Sequence, residues 1–175
     1  NGVPPGAETG DVYEEALVLN DITSPALIRY RYPGDPEAFP STYYLEFETR
    51  VKLSAIPAAA ERFFVGFTDV QEDTITEMPF TGATTVLTAA ADPDDAIGFF
   101  LEGDMTGAHW TPASLKTSAV VIDGATNMTA DEKRLAAVTT DWTTLKFRIQ
   151  SDAKFVEFFV NGKSVYVYKS STAAI

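Results

Sequence analysis

Three groups of residues in this chain have side chains suited to chemistry. Glu46 and Glu48 stand two apart in YYLEFETRVKL. In an extended strand that spacing puts both carboxylates on one face, with Cα atoms roughly 7 Å apart, a separation that suits an acid–base pair. The simpler reading is a solvated strand face, because Arg50 and Lys52 continue the same side and alternation alone accounts for all four residues. Asp92, Asp94 and Asp95, with Glu102 and Asp104, form the densest acidic cluster. Hard carboxylate oxygens of this kind suit Ca²⁺. No EF-hand spacing is present, however, and Pro93 makes the stretch a turn, where Asp and Pro are favoured in any case. Asp69–Glu77 is a weaker version of the same pattern. His109 beside Trp110 offers a sugar an imidazole and an aromatic face, or is a lone histidine at a loop edge next to a core tryptophan.

Other chemistries lose their support quickly. The chain has no Cys and one His, which excludes disulfides, thiol catalysis and metal sites built on Cys or His clusters. No Gly-x-Ser-x-Gly elbow accompanies His109. No Gly-x-Gly-x-x-Gly or P-loop run occurs either. Asn127-Met128-Thr129 matches a glycosylation sequon, but so short a pattern arises by chance. We therefore assign no catalytic residue, no metal ligand and no cofactor, and expect a protein that is not an enzyme. Acids outnumber bases 25 to 13, a net charge of −12, so nucleic-acid phosphates and anionic lipid are poor partners. No apolar run reaches the roughly 18 residues of a membrane span.

The elements that must position these side chains are mostly strands. At 175 residues the chain suits one domain with a sizeable core. Residues 1–11, NGVPPGAETGD, read as a flexible arm, and residues 12–175 as a single domain. The chain begins at Asn1 rather than Met, which fits either processing or numbering that starts inside a longer chain. Val12–Leu19 is ambiguous, Ala26–Tyr32 alternates like a strand, and Pro33, Pro36 and Pro40 mark a loop that cannot enter a sheet interior. Tyr43–Leu53 is the clearest half-buried strand. Further strands are expected at Phe63–Thr68, where Gly66 marks a bulge or a close approach, at Ala96–Leu101, and around Trp110–Ile122 up to an Asp123-Gly124 turn. Met128–Val138 has a capping-box signature, Thr129 with Glu132. We read it instead as a loop and a short strand at Leu135–Val138, because the surrounding pattern is β. Trp142–Gln150, Phe155–Val160 and Lys163–Tyr168 form an antiparallel meander closed by the Asn161-Gly162 turn. Tyr30 with Tyr32, Tyr43 with Tyr44, and Tyr166 with Tyr168 suit strand cores or interfaces. Eight to twelve short strands with little helix indicate an all-β sandwich or barrel.

The meander residues Trp142-Thr-Thr-Leu145-Lys-Phe147-Arg-Ile149 and Phe155-Val-Glu-Phe-Phe-Val-Asn161-Gly162-Lys163 resemble the concanavalin A-like jelly roll of legume lectins, pentraxins and many glucanases. Phe64-Val-Gly66-Phe67-Thr and Asp95-Ala-Ile-Gly98-Phe99-Phe100 resemble the strands that precede it there; together these segments cover about a third of the chain. The same combination is similar to uncharacterised tailed-phage proteins. The resemblance implies an all-β jelly-roll sandwich of two antiparallel sheets. Glucanases of this fold carry a Glu-x-Asp-x-x-Glu strand, which this sequence lacks. Such domains also end with one more strand after the hairpin; here residues 170–175 follow, which fits a missing tail or a strand donated by a neighbouring subunit. The expected function is therefore structural: a phage capsid decoration or cement protein on the exterior of the virion. Its expected partners are the major capsid protein or another virion protein, with homo-oligomers. The alternative is a lectin-like module that binds glycan, on a virion or extracellular.

Overall fold

The alternation of LEFETRV is realised as strand β1, Leu45–Val51, with Leu45, Phe47, Thr49 and Val51 half-buried and Glu46, Glu48 and Arg50 exposed. A computed structural model describes residues 45–58, 61–68, 78–83, 85–90, 94–103, 108–150 and 153–174. The expected arm at 1–11, the segments 12–19 and 26–32, Tyr43 and Tyr44, residues 69–77, Asp92 and Asp104 lie outside the described residues.

Among the described residues ten strands and two short helices follow one another. The chain runs β2 (Arg62–Thr68), β3 (Phe80–Ala83), β4 (Val86–Ala89), β5 (Ala96–Glu102), β6 (Thr111–Lys116), β7 (Ala119–Asp123), α1 (Gly124–Asn127), α2 (Ala130–Leu135), β8 (Thr143–Ile149), β9 (Phe155–Val160) and β10 (Lys163–Lys169). One antiparallel sheet, sheet A, has the order β1-β8-β9-β10, and the other, sheet B, has the order β2-β5-β6-β7. The β3–β4 hairpin stands apart as a third pairing.

The sheets face each other across a shared core. Ile97, Phe99 and Leu101 of sheet B pack with Leu145, Phe147, Ile149, Val156, Phe158 and Val160 of sheet A. Edge-to-face contacts bridge them, Phe99 to Phe158 at 5.4 Å between ring centroids and Phe47 to Phe67 at 5.2 Å. Each fully buried aromatic of this kind contributes about 1.5–3 kcal/mol relative to exposure. A second cluster covers the far side of sheet B. There Phe80 and Leu87 of the β3–β4 hairpin lie over Ala96, Phe100, Ala113 and Leu115. Strand β5 is thus enclosed on both faces and buried along its whole length, as its unbroken apolar run AIGFFL requires.

Several local expectations are resolved by this arrangement. Gly66 pairs directly with Gly98 in an unbroken register, so the close approach is realised and the bulge is not. The Asn161-Gly162 hairpin forms with φ of 51° and 75°, and β8–β9–β10 is the expected meander. The strand expected at Leu135–Val138 is corrected. Residues 130–135 are helix α2, and its capping box is complete: Thr129 Oγ1 accepts from the Glu132 amide at 3.3 Å, and Glu132 Oε2 accepts from the Thr129 amide at 2.6 Å. Ala137 beyond it forms an isolated bridge with His109 rather than a strand. The local satisfaction of helix-end amides outweighs the β context. Asp123-Gly124 likewise opens the one-turn helix α1, with Asp123 Oδ1 accepting from the Thr126 amide at 3.1 Å.

Candidate functional site

Of the surfaces that carry reactive side chains, the outer face of sheet A brings the most of them together. Inward positions of β8 and β9 are buried, so their neighbours in sequence point away from the core. The register then lays Glu46 opposite Arg148 and Glu48 opposite Lys146, and continues Arg148 to Glu157 and Lys146 to Phe159. Lys146 Nζ donates to Glu46 Oε1 at 2.5 Å and lies 3.2 Å from Glu48 Oε2. Arg148 Nε donates to the other Glu46 oxygen at 2.6 Å. Glu46 and Glu48 therefore share one face, as alternation predicts, and share one cation, Lys146.

That geometry sets the electrostatics. The Lys146 hydrogen bond holds the Glu46 carboxyl below its usual range, partial burial opposes the shift, and Arg148 adds to it. A general acid at neutral pH needs the opposite displacement, so Glu46 is built to remain an anion. Replacing Glu46 by Gln is expected to lose about 0.5–1 kcal/mol, the range of exposed ion pairs screened by water. Because the folded-state pKa is depressed, this contribution is complete above the unfolded carboxylate range and disappears as pH falls through the folded value. Urea titrations should show a gap between wild type and Glu46→Gln at pH 7 that narrows as pH falls below the usual carboxylate range; a gap that does not change with pH would contradict the pairing.

Beside the ion pairs lies an apolar half. Arg148 stacks over the Phe159 ring at 5.4 Å, and Arg50 over the Trp142 ring at 5.2 Å. Trp142 is 49% exposed and Val167 46%, while Phe155 and Phe159 are half-buried. The expected strand Trp142–Gln150 left the face of Trp142 unassigned. The signal was parity: 142 is an odd number of residues from 145, 147 and 149, which places it on the opposite face of a strand.

The described members of the other candidates are parted or buried by the fold. Asp94 and Asp95 precede β5, whereas Glu102 ends it, about 20 Å away along the strand. Among the described residues no group of three potential ligands converges. Asp94 and Asp95 instead hold the β6–β7 turn. Asp95 Oδ1 accepts from the Thr117 amide at 2.8 Å, and the Asp94 carboxylate accepts from the Ser118 hydroxyl. Thr117 and Ser118 both have positive φ, 51° and 58°, a conformation costly for a β-branched residue. Glu102 is fully buried. One oxygen accepts from Arg62 Nε at 2.5 Å, and the other has no hydrogen-bond partner among the described residues. His109 and Trp110 are each 1% exposed, so the sugar platform they suggested is not presented to solvent. The alternative holds for Trp110, which packs in the main core. Tyr166 is half-buried on β10; burial, with the Glu132 and Asp123 charges, raises its phenol pKa.

Comparison with protein-family models, with curated proteins and with solved structures finds no match for this chain.

Proposed function

We propose that the protein is a non-enzymatic structural component of a phage particle, a jelly-roll capsid decoration protein on the outer shell, and that it meets a protein neighbour through the outer face of sheet A. The observation that carries the docking part is the composition of that face: arginines stacked on Trp142 and Phe159, with Val167 and Phe155 on the same side of the sheet. Aromatic residues and arginine are what protein interfaces concentrate, and cross-strand ion pairs fix their positions before a partner arrives. The binding of both Glu46 and Glu48 to Lys146 supports a surface rather than a hydrolytic centre. The assignment to a virion rests on the sequence resemblance of the β2 and β5 segments and of the meander from Trp142 to the Asn161-Gly162 turn.

A lectin-like role is the second reading, favoured by the exposed Trp142 ring, since an open aromatic face stacks on a sugar as readily as on a side chain. The two separate experimentally. Purified full-length protein is mixed with particles lacking it, and the same protein is applied to a glycan array with and without Ca²⁺. Saturable binding to particles that weakens in Trp142→Ala and Phe159→Ala is the expected result. Glycan binding lost in Trp142→Ala, with no particle binding, would replace the structural reading by the lectin one.

A further inference from the structure

The ion pairs of sheet A leave its outer face unevenly charged. Lys146 and Arg148 are bound to Glu46, and Lys146 also to Glu48, so the middle of the face is balanced. Arg50 and Lys52 lie beyond these pairs, at the end where β1 runs past the start of β8. Arg50 stands opposite Thr144. Val51 and Leu53, on either side of Lys52, pack on the core, which turns the exposed Lys52 to the outer side. Among the described residues no acid pairs with either cation, and Asp141, beside Trp142, is the exposed acid nearest to them in the fold's register. We infer that this end of the face, Arg50 and Lys52 beside Trp142, is a carboxylate-binding corner that receives an Asp or Glu side chain of the protein neighbour, flanked there by an apolar residue. This rests on the docking role proposed above for the face and names the group on the partner that it reads.

The donors at this corner select the ligand. Arg50 Cζ lies 5.2 Å from the centre of the Trp142 ring. Stacking restrains a long side chain and covers a flat face of the guanidinium, while its N–H groups lie in its own plane and stay available. The fork is thus set in advance for a carboxylate, whose two oxygens accept parallel hydrogen bonds. The neighbouring polar groups also donate. Asn161 Oδ1 is engaged by the Thr144 amide at 2.9 Å, which leaves the side-chain NH₂, and a lysine ammonium and an indole N–H are donors only. A sugar hydroxyl donates as well as accepts and finds few acceptors here, because Glu46 and Glu48 already hold cations. A carboxylate only accepts. A polyanion is repelled by the net charge of −12, whereas a single carboxylate needs no more than the local pair of cations. Trp142, 49% exposed, supplies apolar area to the residue next to that carboxylate, and Trp and Arg are the side chains on which interface binding energy concentrates.

The test uses the full, isotope-labelled chain. Heteronuclear NMR follows the Arg50 side-chain N–H and the Trp142 indole N–H while acetyl-Asp-Phe-amide, acetyl-Asn-Phe-amide or glucuronate is added. The Asp peptide is expected to shift both signals with half-saturation at about 10 mM, and the Asn peptide to bind about tenfold more weakly. Read at the Trp142 indole, the response to the Asp peptide should vanish in Arg50→Gln and shrink in Arg50→Lys, which keeps the charge and loses the fork. Lys163→Gln, the same change of charge at an exposed position opposite Val160, should leave it unchanged. In parallel, particles lacking the protein are titrated with wild type and Arg50→Gln, and the variant is expected to bind about tenfold more weakly. Equal responses to the Asp and Asn peptides, or none at about 50 mM peptide, would overturn the inference. Glucuronate binding more tightly than the Asp peptide would also overturn it, by giving the corner to a sugar acid. So would particle binding that Arg50→Gln leaves intact, with the docking reading still standing. An Arg50-dependent response to the Asp peptide without any particle binding would instead remove the docking reading and leave the carboxylate-binding corner in place.

Discussion

Replacing Gly98 by alanine is expected to destabilise the protein by about 3 kcal/mol or more, at the upper end of what an overpacked core costs. A Cβ at Gly98 would lie 2.3 Å from the Val65 carbonyl oxygen and 2.8 Å from the Gly66 Cα. Its cross-strand partner is no roomier: a Cβ at Gly66 would sit 2.1 Å from the Ile97 carbonyl oxygen. These obstacles are backbone atoms, which cannot rotate away as a flexible side chain does. Nor can the strand itself shift, because β5 is buried on both faces, between the core shared with sheet A and the cluster under the β3–β4 hairpin. Gly162→Ala is the control. Nothing lies within 4 Å of its Cβ, and only a φ of +75° opposes the change, at about 1–2 kcal/mol. Denaturant titration should therefore rank Gly98→Ala well below Gly162→Ala, with an unchanged slope if both remain two-state. A Gly98→Ala protein as stable as the Gly162→Ala one would contradict the close approach of β2 and β5.

Removing the Arg62 side chain is expected to cost about 2–3 kcal/mol. Glu102 stands directly opposite Arg62 in the β2–β5 ladder. Its carboxylate is 1% exposed and, among the described residues, finds one partner, Arg62 Nε. In Arg62→Ala the buried carboxylate would lose this hydrogen bond and this counter-charge, a loss that runs to about 3–5 kcal/mol for fully buried pairs. The Arg62 side chain is 37% exposed, so water can partly replace it, which lowers the expectation. The companion double variant, Arg62→Leu with Glu102→Leu, should recover most of the loss, since replacing a buried pair by apolar side chains is often neutral. A double-mutant cycle measured by urea unfolding decides the matter. Additive losses would mean that the two residues act independently.

How far the sequence reached can be judged element by element. Where one face of a strand is wet and the other dry, as in LEFETRV and TTLKFRI, period-two alternation declares both the strand and its orientation. Where a turn needs two residues of positive φ, Asn161-Gly162 declares that too. The β6–β7 turn has the same backbone signs, but it is built from Thr117 and Ser118 and held by Asp94 and Asp95 from another part of the chain. No local signal could reveal it, and the same two aspartates read in isolation look like a cation site. The β3–β4 hairpin went unseen for a related reason: FTGATTVLTA lacks alternation, and what makes Phe80 and Leu87 core residues is the distant surface of sheet B that they cover. Helix α2 was legible in its Thr129–Glu132 box and was set aside for its β surroundings, although a capping box needs no neighbours to form.

The sequence by itself therefore determined the strand class, the meander, and the absence of cysteine and of histidine clusters, because these depend on residue type and on spacing of a few positions. Only the tertiary structure decided which side chains meet. It drew Glu46 and Glu48 onto Lys146 across 100 and 98 residues, parted Glu102 from Asp94 and Asp95, closed His109 and Trp110 away from solvent, and turned Trp142 outward. Each of these is settled by strand order and register, which depend on burying the most apolar surface over the whole chain and so cannot be read from any one stretch of it.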